Sequence, residues 1–190
     1  MNADALTKTA PLTSKADTAG IDIQICRIDW FVAGETFSIP GAPAEKTELR
    51  FSGADLNFAA RVVFAEAAGS DQIKNRNERD REKEAILTVL YNRIGRLGFP
   101  DRTARKTFRD VASAPRRQFD SVASNTTKFA GSAASSCTTL KSADCRDLTE
   151  SLEAVRKFTR TGPPTDCNFL FFFAASRAKQ GTQIGGNKFW

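Results

Sequence analysis

The sequence predicts an α+β fold that is mostly helical and has a small β-sheet. Residues 56–67, 85–94 and 148–155 repeat apolar residues at helical spacing, which is typical of helices with one buried face. Residues 169–173 are a continuous apolar run of strand length, and residues 184–190 are placed to return beside them as a second strand. A chain of 190 residues suits one domain of ordinary size.

The first fifty residues are predicted to be a tail followed by a short β segment. Residues 1–20 are rich in Thr, Ala, Ser, Lys and Asp and show no apolar periodicity. Between residues 21 and 40, isoleucines alternate with polar residues and two apolar stretches flank Ala33-Gly34-Glu35, a pattern typical of a hairpin or a pair of strands. We therefore divide the chain into an N-terminal segment, residues 1–50, and a main domain, residues 51–190.

Capping residues and glycines mark the first two helices. Ser52 and Asp55 have the spacing of a capping box, so the first helix is expected to begin there and to end at Gly69. Residues 71–84 carry five acidic and five basic residues, which predicts a solvated loop or an exposed helix start. The second helix follows and ends at Gly95. Its apolar face comprises Ala85, Ile86, Val89, Leu90 and Ile94.

Three further elements lie between the second helix and the C-terminal strands. A short helix is expected over residues 108–113, before Pro115. Residues 121–146 are rich in Ser, Thr and Ala, which predicts a long loop with helical pieces. The last helix stops at Gly162, which two prolines follow.

The net charge of +6 is concentrated in one segment. Residues 93–117 contain eight basic and two acidic residues, a difference of +6 that equals the excess of the whole chain. Such a patch favours nucleic acid, an acidic membrane surface or an anionic cell-wall polymer, and the alternative is a solvated face without a partner. No stretch approaches the roughly 18 apolar residues of a membrane span, so no transmembrane segment is expected.

The chain contains no histidine, and this excludes several classes of enzyme. Catalytic triads built on Ser-His or Cys-His are impossible, and zinc peptidases are not expected because histidine is the usual zinc ligand. The cysteines form no CxxC pair, so we expect neither a metal nor a cofactor. General acid–base chemistry then falls first to carboxylates.

Four cysteines are compatible with two disulfides in an oxidising compartment, or with four buried thiols in a reducing one. We predict that Cys137 pairs with Cys145, because they are eight residues apart in a loop that has little else to order it. Cys26 is then left for Cys167.

Glu66 is the carboxylate whose position best suits acid catalysis. At 100° per residue it lies about 60° from Val63, at the rim of the apolar face of the first helix, and its immediate neighbours are apolar. A carboxyl group at an apolar rim is partly desolvated, which raises its pKa and allows it to donate a proton. The alternative is a surface glutamate at a helix edge.

Two other stretches carry side chains that are candidates for binding a sugar. Gln118, Phe119 and Asp120 offer an amide, an aromatic face and a carboxylate in a row. The alternative interpretation of this stretch is an ordinary loop. Tyr91, Asn92 and Arg93 place polar groups at the end of an otherwise apolar helix. The alternative is C-terminal polarity that complements the helix dipole.

Four short motifs follow one another along the main domain. They are ARVVFAEA at residues 60–67, VLYNR at 89–93 with Phe99-Pro100, RQFDSV at 117–122, and the C-terminal segments 164–172 and 184–190. In this order and spacing they resemble the SleB-type cell wall hydrolases, over about Leu56 to Trp190. The chain departs from that family in three places, which are the charged insertion at 71–84, Asn187 where the family often has His, and Trp190 where Tyr is common.

The resemblance implies a lysozyme-like or lytic-transglycosylase-like domain. Such a domain cleaves the peptidoglycan glycan strand between N-acetylmuramic acid and N-acetylglucosamine, and the family's catalytic glutamate corresponds to Glu66. We then expect Tyr91, Asn92, Gln118 and Phe119 to line the cleft and to position sugars.

Two enzymatic routes are open for the proposed acid. In a lytic transglycosylase Glu66 acts alone, first as acid and then as base, and closes an anhydro ring on the muramoyl residue. In a hydrolytic muramidase a second carboxylate is needed, and Asp120 is the nearest candidate. The single-acid route is our expectation.

Two rival interpretations are not enzymatic. One is a polyanion-binding or nucleic-acid-binding module that uses residues 93–117, but that segment has little aromatic interleaving and no nucleic-acid motif, so we expect no nucleic-acid partner. The other is a structural binding domain with an inactive site.

The expected location follows from the substrate. Peptidoglycan lies outside the inner membrane, yet residues 1–20 offer no apolar signal-peptide core. We therefore expect an exported effector, for example through a type VI secretion route, that acts in the periplasm and cell wall of a target bacterium and has a cognate immunity protein. The alternatives are a phage lysis enzyme and a protein whose leader has been removed from this sequence.

Overall fold

The computed structural model describes residues 28–41, 46–116, 118–133 and 140–190. These residues form six α-helices and two small antiparallel sheets, so the predicted α+β class is confirmed. The helices are α1 (Gly53–Glu66), α2 (Arg76–Arg93), α3 (Phe108–Ala112), α4 (Asp120–Ala123), α5 (Thr127–Gly131) and α6 (Ser142–Thr161). The strands are β1 (Thr36–Phe37), β2 (Phe51–Ser52), β3 (Phe172–Ala174), β4 (Thr182–Ile184) and β5 (Asn187–Phe189).

Helix α1 is the central element, and the five other helices contact it. Its side chains are buried on several sides because it is surrounded in this way. The Ser52 hydroxyl accepts a hydrogen bond from the Asp55 N–H at 3.2 Å, as the capping spacing predicts. The Asp55 carboxylate instead accepts the N–H groups of Phe108 and Arg109, both at 2.9 Å, and so caps α3.

Helix α2 begins at Arg76, with Asn75 as its N-cap. The predicted apolar face of this helix is confirmed, since all five of its residues are buried. The prediction of a solvated loop or an exposed helix start over 71–84 is wrong for Arg79, Glu82 and Lys83, which are buried. Arg79 and Lys83 face α6, where both donate to the buried carboxylate of Glu150.

The shorter helices and α6 agree with the sequence predictions. Helix α3 lies within the predicted range 108–113. Helices α4 and α5 are the helical pieces expected over 121–146, although α4 begins one residue earlier and α6 already begins at Ser142. Helix α6 ends before Gly162, whose N–H bonds to the carbonyl of Phe158 at 2.9 Å. None of the helices in the described ranges is both long and apolar enough to cross a membrane.

The first sheet differs from the predicted hairpin. Strand β1 pairs antiparallel with β2 rather than with residues 30–32, so that Phe37 lies opposite Phe51. Residues 30–32 are not in a strand, and they precede a turn closed by the Glu35 N–H on the carbonyl of Val32 at 3.1 Å. The alternating segment 21–25 lies outside the described residues.

The second sheet has the order β3-β5-β4, and both pairings are antiparallel. The strand predicted at 169–173 lies instead at Phe172–Ala174. The segment 184–190, predicted as one strand, contains the last residue of β4, a glycine turn and then β5. Phe172 and Phe189 pack together at 5.6 Å between ring centroids, so this face of the sheet closes the core.

The predicted pairing of Cys26 with Cys167 is wrong, because Cys167 is a free thiol. Its sulfur lies 3.6 Å from a carboxylate oxygen of Asp166. Cys145 is disulfide-bonded. Cys137 falls in the undescribed segment 134–139, so its pairing with Cys145 stays a prediction.

Candidate active site

A broad cleft of about 850 Å³ opens where the C-terminal end of α1 meets α4 and the β3-β5 sheet. Glu66, Gln118 and Asp120 line it on the helical side, and Phe171 and Trp190 line it on the sheet side. This volume is typical of clefts that bind ligands. The structure therefore brings the two predicted catalytic carboxylates to one cleft.

Glu66 is the last residue of α1 and is held by Ser121 at the start of α4. Its Oε1 accepts the Ser121 N–H at 3.0 Å and the Ser121 hydroxyl at 2.5 Å. Among the described residues, these hydrogen bonds to the Glu66 carboxyl group both go to Oε1. Glu66 also lines the cleft, so its carboxyl group is held by α4 at the cleft wall.

Burial raises the pKa of the Glu66 carboxyl group above its ordinary value. The two hydrogen bonds from Ser121 oppose this shift, because they stabilise the carboxylate, and the negative charge of Asp120 adds to it. The result is a carboxyl group that keeps its proton to a higher pH than an exposed glutamate does, while remaining at the cleft surface.

Asn187 fixes the backbone that carries Glu66. Its side-chain amide donates to the carbonyl of Glu66 at 3.3 Å and to Oε1 of Glu82 at 2.8 Å. The Asn187 amide thus ties β5 to the end of α1.

Glu82 is a buried carboxylate that joins three segments behind the site. Besides the Asn187 amide, it accepts the N–H of Ala68 at 3.0 Å and the N–H of Gly186 at 2.8 Å. A Cβ on Gly185, whose φ is +59°, would lie 2.7 Å from Cδ of Glu82, so only glycine fits there. Sequence reasoning missed Glu82, because its neighbours in the charged run 71–84 suggested exposure.

Gln118 and Asp120 lie on the cleft wall as predicted, the first partly buried and the second exposed. Oε1 of Gln118 accepts from Nη1 of Arg93 at 3.4 Å, and its Nε2 donates to the carbonyl of Arg116 at 3.4 Å. Gln118 is therefore oriented by its neighbours before any ligand binds.

Arg93 is a cleft residue that sequence reasoning assigned to the basic segment and to the motif at 89–93, but not to the site. It is buried, its Nε donates to the carbonyl of Leu170 at 2.8 Å, and its guanidinium lies over the rings of Phe119 and Phe171 at 5.4 and 5.3 Å. Burial lowers its pKa to about 10, so it remains charged at neutral pH. A fixed positive charge thus lies in the wall of the cleft that Asp120 also lines.

Three predicted sugar-binding residues do not line the cleft. Tyr91 is in the core, with its ring 5.3 Å from that of Phe158, because it lies on the face of α2 that packs against α6. Phe119 is buried beneath the cleft and packs on Phe172. Asn92 donates to the carbonyl of Phe169 at 2.9 Å and thereby positions the segment that enters β3.

The basic segment 93–117 does not form one continuous surface in its described part. Arg93 is buried, Arg105 pairs with Asp101 at 2.9 Å, and Arg109 lies over the ring of Phe58 at 4.2 Å. Within this segment, two cations, Arg93 and Arg116, line the cleft. The charge is thus divided between the cleft and other parts of the molecule.

No family model, curated protein or solved structure matches the chain.

Proposed function

We propose that this protein cleaves the glycan strand of peptidoglycan between N-acetylmuramic acid and N-acetylglucosamine, with Glu66 as the general acid. The observation that carries the proposal is the state of Glu66, a carboxyl group in the cleft lining with a raised pKa and with Oε1 held by Ser121. A glycosidic oxygen leaves only when it is protonated, and such a group supplies that proton.

The lining of the cleft supports a polymeric, anionic substrate. Arg116, Arg177 and Lys179 add positive charge to that of Arg93, whereas the acidic residues of the lining are Glu66 and Asp120. Peptidoglycan carries carboxylates on its stem peptides, and an excess of positive charge in the cleft attracts such a polymer. The lysozyme-like or lytic-transglycosylase-like fold is part of this proposal.

The proposed mechanism uses one carboxyl group twice. Glu66 donates its proton to the glycosidic oxygen, and the bond to the muramoyl C1 breaks. The resulting Glu66 carboxylate then takes the proton of the muramoyl 6-hydroxyl, whose oxygen bonds to C1. The product is a 1,6-anhydro ring. Glu66 is protonated again at the end of the reaction, and no water is consumed.

Asp120 distinguishes the single-acid route from hydrolysis. In our account Asp120→Asn reduces the rate of wall lysis by less than about tenfold, far less than loss of a general acid costs. Because the charge of Asp120 raises the pKa of Glu66, the same variant is expected to move the alkaline limb of the pH–rate profile to lower pH. If Asp120→Asn is instead as inactive as Glu66→Gln, the hydrolytic route with a second carboxylate is correct.

The hydroxyl group of Ser121 lowers the pKa of Glu66, and the variant Ser121→Ala tests this directly. The variant loses the hydroxyl that stabilises the Glu66 carboxylate but keeps the backbone N–H, so the pKa of Glu66 is expected to rise further. Since a general acid works in its protonated form, the alkaline limb of the kcat/KM profile should move to higher pH. Ser113 is exposed, and Ser113→Ala is the matched control. If the alkaline limb of the kcat/KM profile does not move in Ser121→Ala, Glu66 is not the general acid.

The proposed setting is the wall of a target bacterium. We place the protein among exported effectors, with a cognate immunity protein that covers the cleft. Expression in a bacterial host with and without a periplasmic leader tests this setting. Lysis that requires the leader supports it, and lysis or growth arrest without the leader contradicts it.

The enzymatic proposal itself is tested with purified protein and purified sacculi. A fall in turbidity at a rate proportional to enzyme concentration is expected. If the protein binds sacculi but does not lower their turbidity, it is the structural binding domain. If it leaves sacculi intact and binds nucleic acid in a salt-dependent manner, it is the polyanion-binding module.

A further inference from the structure

Three large aromatic side chains are exposed together on the sheet side of the cleft. Phe171, Phe173 and Trp190 are 38%, 57% and 44% exposed. Among the described residues, the other large apolar side chains with comparable exposure are Val32 and Leu97, which do not line the cleft. Isolated exposed apolar residues need no explanation, but a cluster in the wall of a cleft marks a surface that binds something.

The three rings form an ordered array. Trp190 lies 6.0 Å from Phe171 and 5.7 Å from Phe173 between ring centroids, with interplanar angles of 19° and 15°. Phe171 and Phe173 are two residues apart at the start of β3 and therefore share a face of the sheet, opposite to the one that Phe172 turns to the core. The rings are thus nearly parallel.

The backbone fixes this array before any ligand binds. The Trp190 N–H donates to the carbonyl of Phe171 at 3.1 Å, and the Phe171 N–H donates to the carbonyl of Trp190 at 3.0 Å. Arg93 supports Phe171 from below, with its guanidinium 5.3 Å from the ring. Aromatic side chains held in this way lose little conformational entropy on binding.

Flat, exposed aromatic rings beside a polar cleft match the chemistry of a sugar chain. One face of a pyranose ring presents C–H groups, which are attracted to the negative face of an aromatic ring, while the hydroxyl groups point outward to polar partners. A glycan strand is a row of such faces, and the stacked rings of this array line the same cleft as Glu66.

We propose that Phe171, Trp190 and Phe173 form a platform on which sugar rings of the glycan strand stack, away from the bond that is cut. This inference rests on the proposed function and adds the residues that bind the strand. The platform contributes affinity to ground state and transition state alike, so its loss raises KM and leaves kcat nearly unchanged.

The direct test measures binding of the inactive Glu66→Gln protein to glycan strands from which the stem peptides have been removed. We expect Trp190→Leu in this background to weaken binding by about tenfold, because one stacked ring is lost. Trp190→Phe keeps a ring and is expected to restore most of the affinity. Leu97→Ala, which removes an exposed apolar side chain outside the cleft, is the matched control and should leave the affinity unchanged.

Phe173→Leu is a second, independent variant, since Phe173 is the most exposed of the three rings and its replacement leaves the core intact. Unchanged binding in both leucine variants, with lysis by the wild-type enzyme intact, overturns the platform but not the proposed function. Weakened binding to intact sacculi but not to peptide-free strands also overturns it, since the rings would then contact stem peptides. Absence of lysis by the wild-type protein overturns the proposed function instead.

Discussion

Glu66→Gln is expected to reduce the rate of peptidoglycan cleavage by about a hundred- to ten-thousandfold, the range that general acid catalysis contributes. The amide has the shape of the carboxyl group and its oxygen still accepts from Ser121, so the link between α1 and α4 is retained. What it cannot do is release a proton to the glycosidic oxygen. The measurement is the initial rate of turbidity loss of sacculi.

Glu48→Gln is the matched control, because Glu48 is exposed and does not line the cleft. It should cleave at the wild-type rate. A circular dichroism melt of Glu66→Gln should coincide with that of the wild type, which separates loss of chemistry from loss of fold. Cleavage by Glu66→Gln within about tenfold of wild type would remove Glu66 from the role of general acid.

Glu150→Gln is expected to lower the free energy of unfolding by about 3–5 kcal/mol, as removal of one partner from a buried ion pair does. Glu150 accepts from Arg79 at 2.6 and 2.9 Å and from Lys83 at 3.1 Å, and all three side chains are buried. The neutral amide removes the negative charge to which both buried cations donate. The measurement is urea denaturation at neutral pH.

Glu153→Gln is the matched control for Glu150→Gln. Glu153 is on the same helix, one turn further on, and it pairs with Arg76 at 2.6 Å where about half of each side chain is exposed. Exposed pairs contribute about 0–1 kcal/mol, so this variant should be nearly as stable as the wild type. Equal losses in the two variants would show that the Glu150 ion cluster does not hold α2 to α6.

The pH dependence of stability provides a second readout of Glu150. Burial acts to raise its pKa, but the hydrogen bonds from Arg79 and Lys83 outweigh burial and hold the pKa at about 2. An unfolded glutamate titrates near about 4.3, so the stabilisation is fully present above that pH and is lost as the pH falls through the folded pKa. Glu150→Gln should therefore be less sensitive than the wild type to acid in this range.

Local periodicity predicted much of the helical framework. The apolar faces of α1, α2 and α6 repeat every three to four residues, and each of these helices is present. The rim position of Glu66 on α1 also follows from helix geometry alone, and the structure places that residue in the cleft. These features depend on contacts within one helix, which a single sequence displays.

Features that depend on distant segments were not predictable in this way. Glu82 and Lys83 are buried because they meet a turn and a helix that come far later in the chain, and charge composition does not reveal such partners. Tyr91 and Arg93 are neighbours on α2, but about 200° of rotation separates them, and the packing of the β3-β5 sheet decides which one reaches the cleft. The aromatic array likewise appears only when the register of β3 and β5 is known.

The central claim is that Glu66 cuts the glycan strand without water, and mass spectrometry of the released products tests it most directly. Sacculi digested by the wild-type protein are expected to yield muropeptides that end in 1,6-anhydro-muramic acid, one water lighter than hydrolytic products, and Glu66→Gln should release none. A product set made only of reducing-end muropeptides would contradict the single-acid route. Absence of any glycan-strand product, or the same products from both proteins, would contradict the claim that Glu66 cleaves this polymer.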